Sequence, residues 1–161
     1  MNLTQAYYHS PIGIIQISGD DEYIHSTLFR EEAGENSGNS AVVKLALVQL
    51  DEYFTGNRLN FELPISQSGT TFQLSVWDQL TKIPYGETIS YLQLSERLNN
   101  RLAIRAVGAA NGKNNIIVIV PCHRVVGNDG SLTGFSAGLW RKKWLLQHEN
   151  KISGKGQRSL F

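Results

Sequence analysis

The run IIVIVPCHRVVG, residues 116–127, contains the chain's only cysteine, Cys122, with His123 beside it. A thiol and an imidazole are the parts of an activated nucleophile. The thiolate is the reactive form, and a free cysteine has a pKa of about 8.5, so something must take the proton. Five apolar β-formers lead into Pro121. They predict a thiol at the end of a buried strand, followed by a glycine turn, where functional residues often project. Neighbours on an extended segment face opposite ways, so His123 would reach the sulfur through a bridging water. An acid would orient the imidazole, and Glu149 is one candidate. Four chemistries stay open for Cys122. It is an inert buried thiol, a metal ligand, an acylating hydrolase nucleophile or an acceptor of alkyl groups. The metal reading lacks a soft ligand set. The hydrolase reading needs an oxyanion hole besides a base.

These residues need elements to position them. In the first half, TQAYYHSPIGIIQISG predicts two strands around a turn at Ser10–Pro11, with Ile12, Ile14 and Gln16 alternating in the second. EYIHSTLF is a third strand, and REEAGENSGNS a mobile polar loop. AVVKLALVQLDEYFTG has helical spacing, with Ser40 as N-cap and Gly56 as stop. NRLNFELPISQSGT reads as a linker.

The second half reads as helical. Thr71 would cap FQLSVWDQLTKI, with Phe72, Val76, Trp77, Leu80 and Ile83 on one face. A short helix follows Ser90, Asn99–Asn100 break it, and RLAIRAVGAANGKN continues as another helix, which together predict a helix-turn-helix. That last segment is nearly bare of large side chains. Either it packs tightly on a neighbouring helix, or its low profile, with Arg105 as the one long cation within 103–110, suits a narrow groove such as the DNA minor groove, about 6 Å wide. GLWRKKWLLQHEN closes the fold as an amphipathic helix, with Leu139, Lys142, Lys143 and Leu146 around it.

Charge is uneven. Residues 1–72 carry 3 Lys+Arg and 9 Asp+Glu, residues 73–161 carry 12 and 5, although the whole chain nets +1. Uneven drift of surface charge explains this, or a polyanion partner for the second half does. No apolar run is long enough for a membrane span. The start, MNLTQAYYHS, lacks the basic and apolar regions of a signal peptide. A single cysteine allows no internal disulfide, which suits the cytoplasm.

PCHRVVG, with GLWRKKWLLQHE downstream and IPYGETISY and RAVGAANGKN upstream, resembles the O6-alkylguanine-DNA alkyltransferases, in unbroken order over residues 71–150. The resemblance implies an α/β N-terminal domain, a small antiparallel sheet plus helix that is ribonuclease-H-like, at 1–70. It implies a mainly α domain with a helix-turn-helix at 71–155, leaving 156–161 as a disordered tail. It also implies roles. Cys122 accepts the alkyl group, His123 takes the thiol proton through water, Glu149 orients His123, and Asn114 holds the active-site turn. Tyr91 crowds the target phosphate and helps protonate the leaving guanine. Arg105 fills the stack once the base leaves, on a minor-groove helix that includes Ala106, Gly108, Ala109, Asn111 and Gly112. Phe135, Ser136 and Ala137 form the pocket loop, with Ser136 near the guanine oxygen. The carbonyls of Cys122 and Val125 accept from the base amino group.

The expected partner is double-stranded DNA carrying O6-alkylguanine, possible action on O4-alkylthymine included, and the free protein is expected to be a monomer. A base in a duplex cannot reach a buried thiol unless it is flipped out. A thioether has no carbonyl for water to attack, so each molecule would act once. The second reading is a sensor that binds alkylated bases without repairing them. Such alkyltransferase-like proteins lack the cysteine, so Cys122 favours repair. A cysteine hydrolase, marked by turnover, is third. Asn115, Phe135 and Ala137 stand where the family usually has proline, tyrosine and glycine. Some members bind zinc through N-terminal cysteines and histidines. Here only His9 and His25 remain, so no metal and no cofactor are expected.

Overall fold

Three antiparallel strands open the chain in the computed structural model, which describes residues 3–154. They are β1 (Thr4–Ser10), β2 (Gly13–Gly19) and β3 (Ile24–Arg30), in the order β1-β2-β3. The hairpin turns at Pro11 and Ile12, with Gly13 at φ +123°, and Tyr8 faces Ile15 across the ladder. The buried face of β2 is set by Ile15 and Ile17, while Ile14 and Gln16 are half-buried. The expected alternation is thus present, one residue out of phase. Ile12 is buried in the turn itself.

Helix α1 (Ala41–Phe54) begins where Ser40 Oγ accepts from the Val43 N–H, and Gly56 at φ +84° closes its C-terminus. Its buried side, Val43, Ala46, Leu50, Tyr53 and Phe54, completes the core of this unit. Two segments expected as loop and linker are tied to the sheet. Ser37 pairs with Gln5, and Ile65 bridges Ile24.

The chain divides into two units. The first comprises residues up to 68 together with 115–119, the second 69–114 and those from 120 onward. The second is mostly helical, with α2 (Thr71–Leu80), α3 (Tyr91–Arg97), α4 (Ile104–Gly112) and α5 (Leu139–Ile152). Thr70, not Thr71, caps α2, in a reciprocal pair with Gln73. Val76, Trp77, Leu80 and Ile83 are buried, but Phe72 is exposed. Ser90 caps α3 the same way with Gln93. Asn99, at φ +57°, turns the chain into a 3-10 turn, Arg101–Ala103, that runs into α4. Trp77 Nε1 donates to the Ala110 carbonyl at 2.9 Å and fixes α4 against α2. A two-residue parallel ladder joins β4 (Ile89–Ser90) to β5 (Val125–Val126). The tail expected at 156–161 lies outside the described residues.

Candidate active site

The approach to Cys122 is not a strand. Thr27 draws Asn115–Ile117 into the first unit, through Thr27 N to the Asn115 carbonyl, Ile117 N to the Thr27 carbonyl, and Thr27 Oγ1 to the Ile117 carbonyl. The chain then reverses at Val118, φ +69°, closed by Ile119 N on the Ile117 carbonyl at 2.8 Å. That is a γ-turn of the positive-φ kind, rare and strained, about a buried β-branched residue. A second γ-turn, of the common inverse form, follows at Pro121 (φ −83°, ψ 65°), with Cys122 N on the Val120 carbonyl at 2.8 Å. Residues 122–124 then form a single 3-10 turn. The β-branched run resembles a strand in sequence, but the bonds to Thr27 and Asn114 dictate its path instead.

Asn114 holds this turn. Its Nδ2 donates to the Val120 carbonyl at 2.8 Å, and its side chain hydrogen-bonds the Cys122 sulfur. Burial pushes the thiol up from its ordinary value, while the Asn114 bond and the charge of Lys142 pull it down. The nucleophile is therefore kept as a thiol until a base acts on it.

His123 is fully buried. Its Nε2 lies 2.8 Å from Glu149 Oε2, and Nδ1 has no hydrogen-bond partner among the described residues. An ionised carboxylate only accepts, so Nε2 carries the proton and Nδ1 presents its lone pair. Burial lowers the imidazole pKa, against the opposing pull of Glu149, which keeps the ring neutral and basic in form. Glu149 is 1% exposed. Burial alone would raise its pKa, but His123 and Arg124 outweigh this and hold it well below the usual carboxylate range. Arg124 grips it with Nε on Oε1 at 2.8 Å and Nη2 on Oε2 at 2.9 Å, and its Nη1 donates to the Ile83 carbonyl. Gly86 N–H adds a longer bond to Oε1 at 3.3 Å. Four donors match the roughly four acceptor positions of a carboxylate.

Arg124 was not singled out by the sequence, nor was Lys142 as a site residue. Lys142 is fully buried rather than on a solvent face, and burial lowers its pKa to about 8. Its Nζ donates to the Thr133 carbonyl at 2.8 Å, which also accepts from Tyr91 Oη at 3.1 Å. The signal was available, because Lys142, Leu145, Leu146 and Glu149 share one helical face at i, i+3, i+4 and i+7.

Tyr91 heads α3, and burial raises its pKa, with the Thr133 and Asn111 contacts opposing. Thr133 anchors the loop carrying Phe135, Ser136 and Ala137, and Arg141 Nη1 donates to the Ala137 carbonyl. Ser136 is exposed, whereas Phe135 and Ala137 are half-buried. Val125 is buried in β5. The Cys122 carbonyl already accepts from Val125 N–H and from Asn111 Nδ2, so a base amino group would have to displace one of them.

The residues expected along α4 separate. Arg105, Ala106 and Ala109 are exposed, and Gly108 and Gly112 half-buried. Asn111 is buried, and its Nδ2 donates to the Cys122 carbonyl at 3.3 Å. Ala110 is small and buried against α2, but tight internal packing does not explain Gly108 and Gly112. A Cβ on Gly108 would meet only the Tyr91 ring at 3.8 Å, an ordinary contact, and one on Gly112 would meet nothing within 4 Å. Among the described residues no helix is long and apolar enough to cross a membrane, and no cluster of three or more His, Cys, Asp or Glu could hold a metal.

Residues 71–151 match the family described as 6-O-methylguanine DNA methyltransferase, DNA binding domain, and residues 3–67 match its ribonuclease-like domain. A methylated-DNA–protein-cysteine methyltransferase of Methanosarcina acetivorans is 41% identical over 150 residues, spanning 89% of this chain and 96% of its own length. One from Haemophilus influenzae is 40% identical over 154 residues, 91% of this chain and 86% of its own. The crystal structure of Mycobacterium tuberculosis O6-methylguanine methyltransferase superposes with a TM-score of 0.85 at 36% identity, covering 94% of both chains. A structure of the enzyme from that organism in complex with DNA gives 0.83 at 38% identity, covering 91% of this chain and 92% of its own.

Proposed function

The chain belongs to the 6-O-methylguanine DNA methyltransferase family, and from that premise we propose that it repairs O6-alkylguanine in DNA by moving the alkyl group onto Cys122. The observation that carries this reading is the buried relay. A thiol bonded to Asn114 stands beside a neutral imidazole whose Nδ1 is unpartnered among the described residues and whose Nε2 is locked to Glu149.

In the step, a water passes the thiol proton to His123 Nδ1. The sulfur attacks the alkyl carbon, the S–C bond forms, and the C–O6 bond breaks with its electron pair going to the guanine. The guanine takes up a proton from the Tyr91 hydroxyl, which turns from the Thr133 carbonyl, and the proton held on His123 then returns through water to the phenolate, so the thiol proton balances the one guanine gains. Glu149 bears the imidazolium that results, and Arg124 holds that carboxylate in place although its own charge opposes the imidazolium. Lys142 adds positive charge near the sulfur and holds the pocket loop through Thr133. The product is a thioether, so the chain is consumed. The cysteine also separates this reading from a sensor that binds without repairing.

The base must leave the duplex first. The exposed face of α4 enters the minor groove, Arg105 fills the gap, and the positive second half meets the phosphates. Double-stranded DNA is the partner, the protein acts as a monomer, and a single free thiol suits the cytoplasm. Titrating the protein into duplex DNA containing O6-methylguanine tests the reading. The lesion should disappear linearly, one per chain, and then stop. Continued loss of lesion beyond that point would overturn it.

A further inference from the structure

We propose that Leu102 is an apolar wedge that enters the minor groove one helical turn ahead of Arg105 and helps unstack the target base. The proposal rests on the DNA reading of α4. Leu102 is 99% exposed, against 58% for Trp140, the next most exposed large hydrophobic residue among those described. A lone exposed leucine is ordinary on a protein surface. This one is set apart by its alignment. It stands in the 3-10 turn that feeds α4, and Leu102, Arg105, Ala106, Ala109 and Lys113 are all exposed at i, i+3, i+4, i+7 and i+11. A helical repeat puts these positions on one stripe. If Arg105, Ala106 and Ala109 face the duplex, the exposed Leu102 stands at the head of that face, in the 3-10 turn whose i and i+3 positions line up.

Three residues of 3-10 and α-helix advance roughly 5 Å, one to two base steps at about 3.4 Å per step. Leu102 thus falls next to the step that Arg105 fills. The surroundings fit a polyanion. Arg97, Arg105 and Lys113 are exposed, and Arg101 has only a surface pairing with Glu96 at 3.7 Å. A leucine among these cations cannot bond a phosphate. What it can do is press on sugars and base edges. Apolar side chains placed so between base steps partly unstack them. Two long side chains then share the work. The leucine opens the step, and the arginine holds it open.

Because Leu102 is 99% exposed, its substitution leaves the core and the relay intact. The experiment compares the full chain with Leu102→Ser and Leu102→Met in single-turnover transfer from an O6-methylguanine duplex, the same strand alone, and the free modified base. Leu102→Ser should slow the duplex reaction by about five- to tenfold, since unstacking is needed only there, and leave the free base unchanged. Leu102→Met should restore most of the duplex rate. A 2-aminopurine beside the lesion should brighten less on binding the serine variant. An unchanged duplex rate overturns the wedge, and so does an equal loss on the free base, which would mark a structural residue. A change confined to the steepness of DNA binding also overturns it, because it would mark a contact between neighbouring copies. If the wild-type chain takes no methyl from any substrate, the repair reading itself has failed. If it does and the serine variant matches it, only the wedge is lost.

Discussion

Around Cys122 the second unit buries His123, Arg124, Lys142 and Glu149, while along α4 it exposes Leu102, Ala106 and Ala109. Ordinary folding would place these sets the other way round. The buried charges give up hydration, and their mutual bonds repay this only through close geometry, such as the two-pronged grip of Arg124 on Glu149. Ala106 and Ala109 are exposed, and the half-buried Gly108 and Gly112 each have room for a Cβ, so internal packing does not require small residues at these four positions. One region sacrifices stability to hold a proton acceptor in place. The other leaves surface bare, and it is there that the proposed DNA contact lies. Both departures point to function, and they divide it into chemistry and docking.

That division can be broken at several places. Cys122→Ala should abolish transfer from duplex and free base alike while DNA affinity stays near wild type, as a gel-shift titration would read. Glu149→Gln and His123→Ala should each slow transfer by roughly 10²–10⁴-fold, the usual range for a lost general base. Their double variant should be no worse than the slower single one, because they act as a unit. Glu149→Ala should also cost about 3–5 kcal/mol in urea unfolding, because Arg124 is left buried without its partner.

On the docking side, Arg105→Ala should slow duplex repair by roughly ten- to a hundredfold, given an unstacking cost of a few kcal/mol, and spare the free base. Ala109→Leu should weaken DNA binding without altering thermal stability, since its side chain adds bulk only outward. Loss of both binding and stability would mean that α4 packs against protein instead. The smallest effect is expected for Lys113→Ala, a drop of about 1 in the slope of log affinity against log salt.

Acid should act on the chemical region. His123 has a folded pKa below its unfolded 6.5, so the stability of the neutral form is complete above pH 6.5 and is lost as pH falls toward the folded value. Glu149, also depressed, adds a loss as pH falls below its unfolded 4.5. Lys142, near 8 folded against 10.5 unfolded, makes stability rise with pH between those values. Lys142→Met should flatten that rise in thermal melts from pH 8 to 10.5.

Much of this was legible in the sequence. Ser40 and Ser90 announced their helices because a hydroxyl before an apolar period is a local signal. PCHRVVG and RAVGAANGKN, with GLWRKKWLLQHE, pointed to the family. What failed to show was non-local. Residues 116–120 have every β-former and make no strand, because Thr27 and Asn114, distant in sequence or around a turn, claim their carbonyls. Asn111 shares α4 with the exposed Arg105, Ala106 and Ala109, yet the helical repeat turns it inward toward Cys122. Lys142 looks like surface until its register with Glu149 is counted.

The central claim is that the Cys122 sulfur takes one alkyl group and keeps it. Intact-mass spectrometry of the chain, followed over time with excess O6-methylguanine duplex, tests it most directly. The mass should rise by a single methyl, map to the peptide containing Cys122, and remain there however long the incubation. A mass that never changes while lesions vanish, or a methyl that comes and goes, would contradict it.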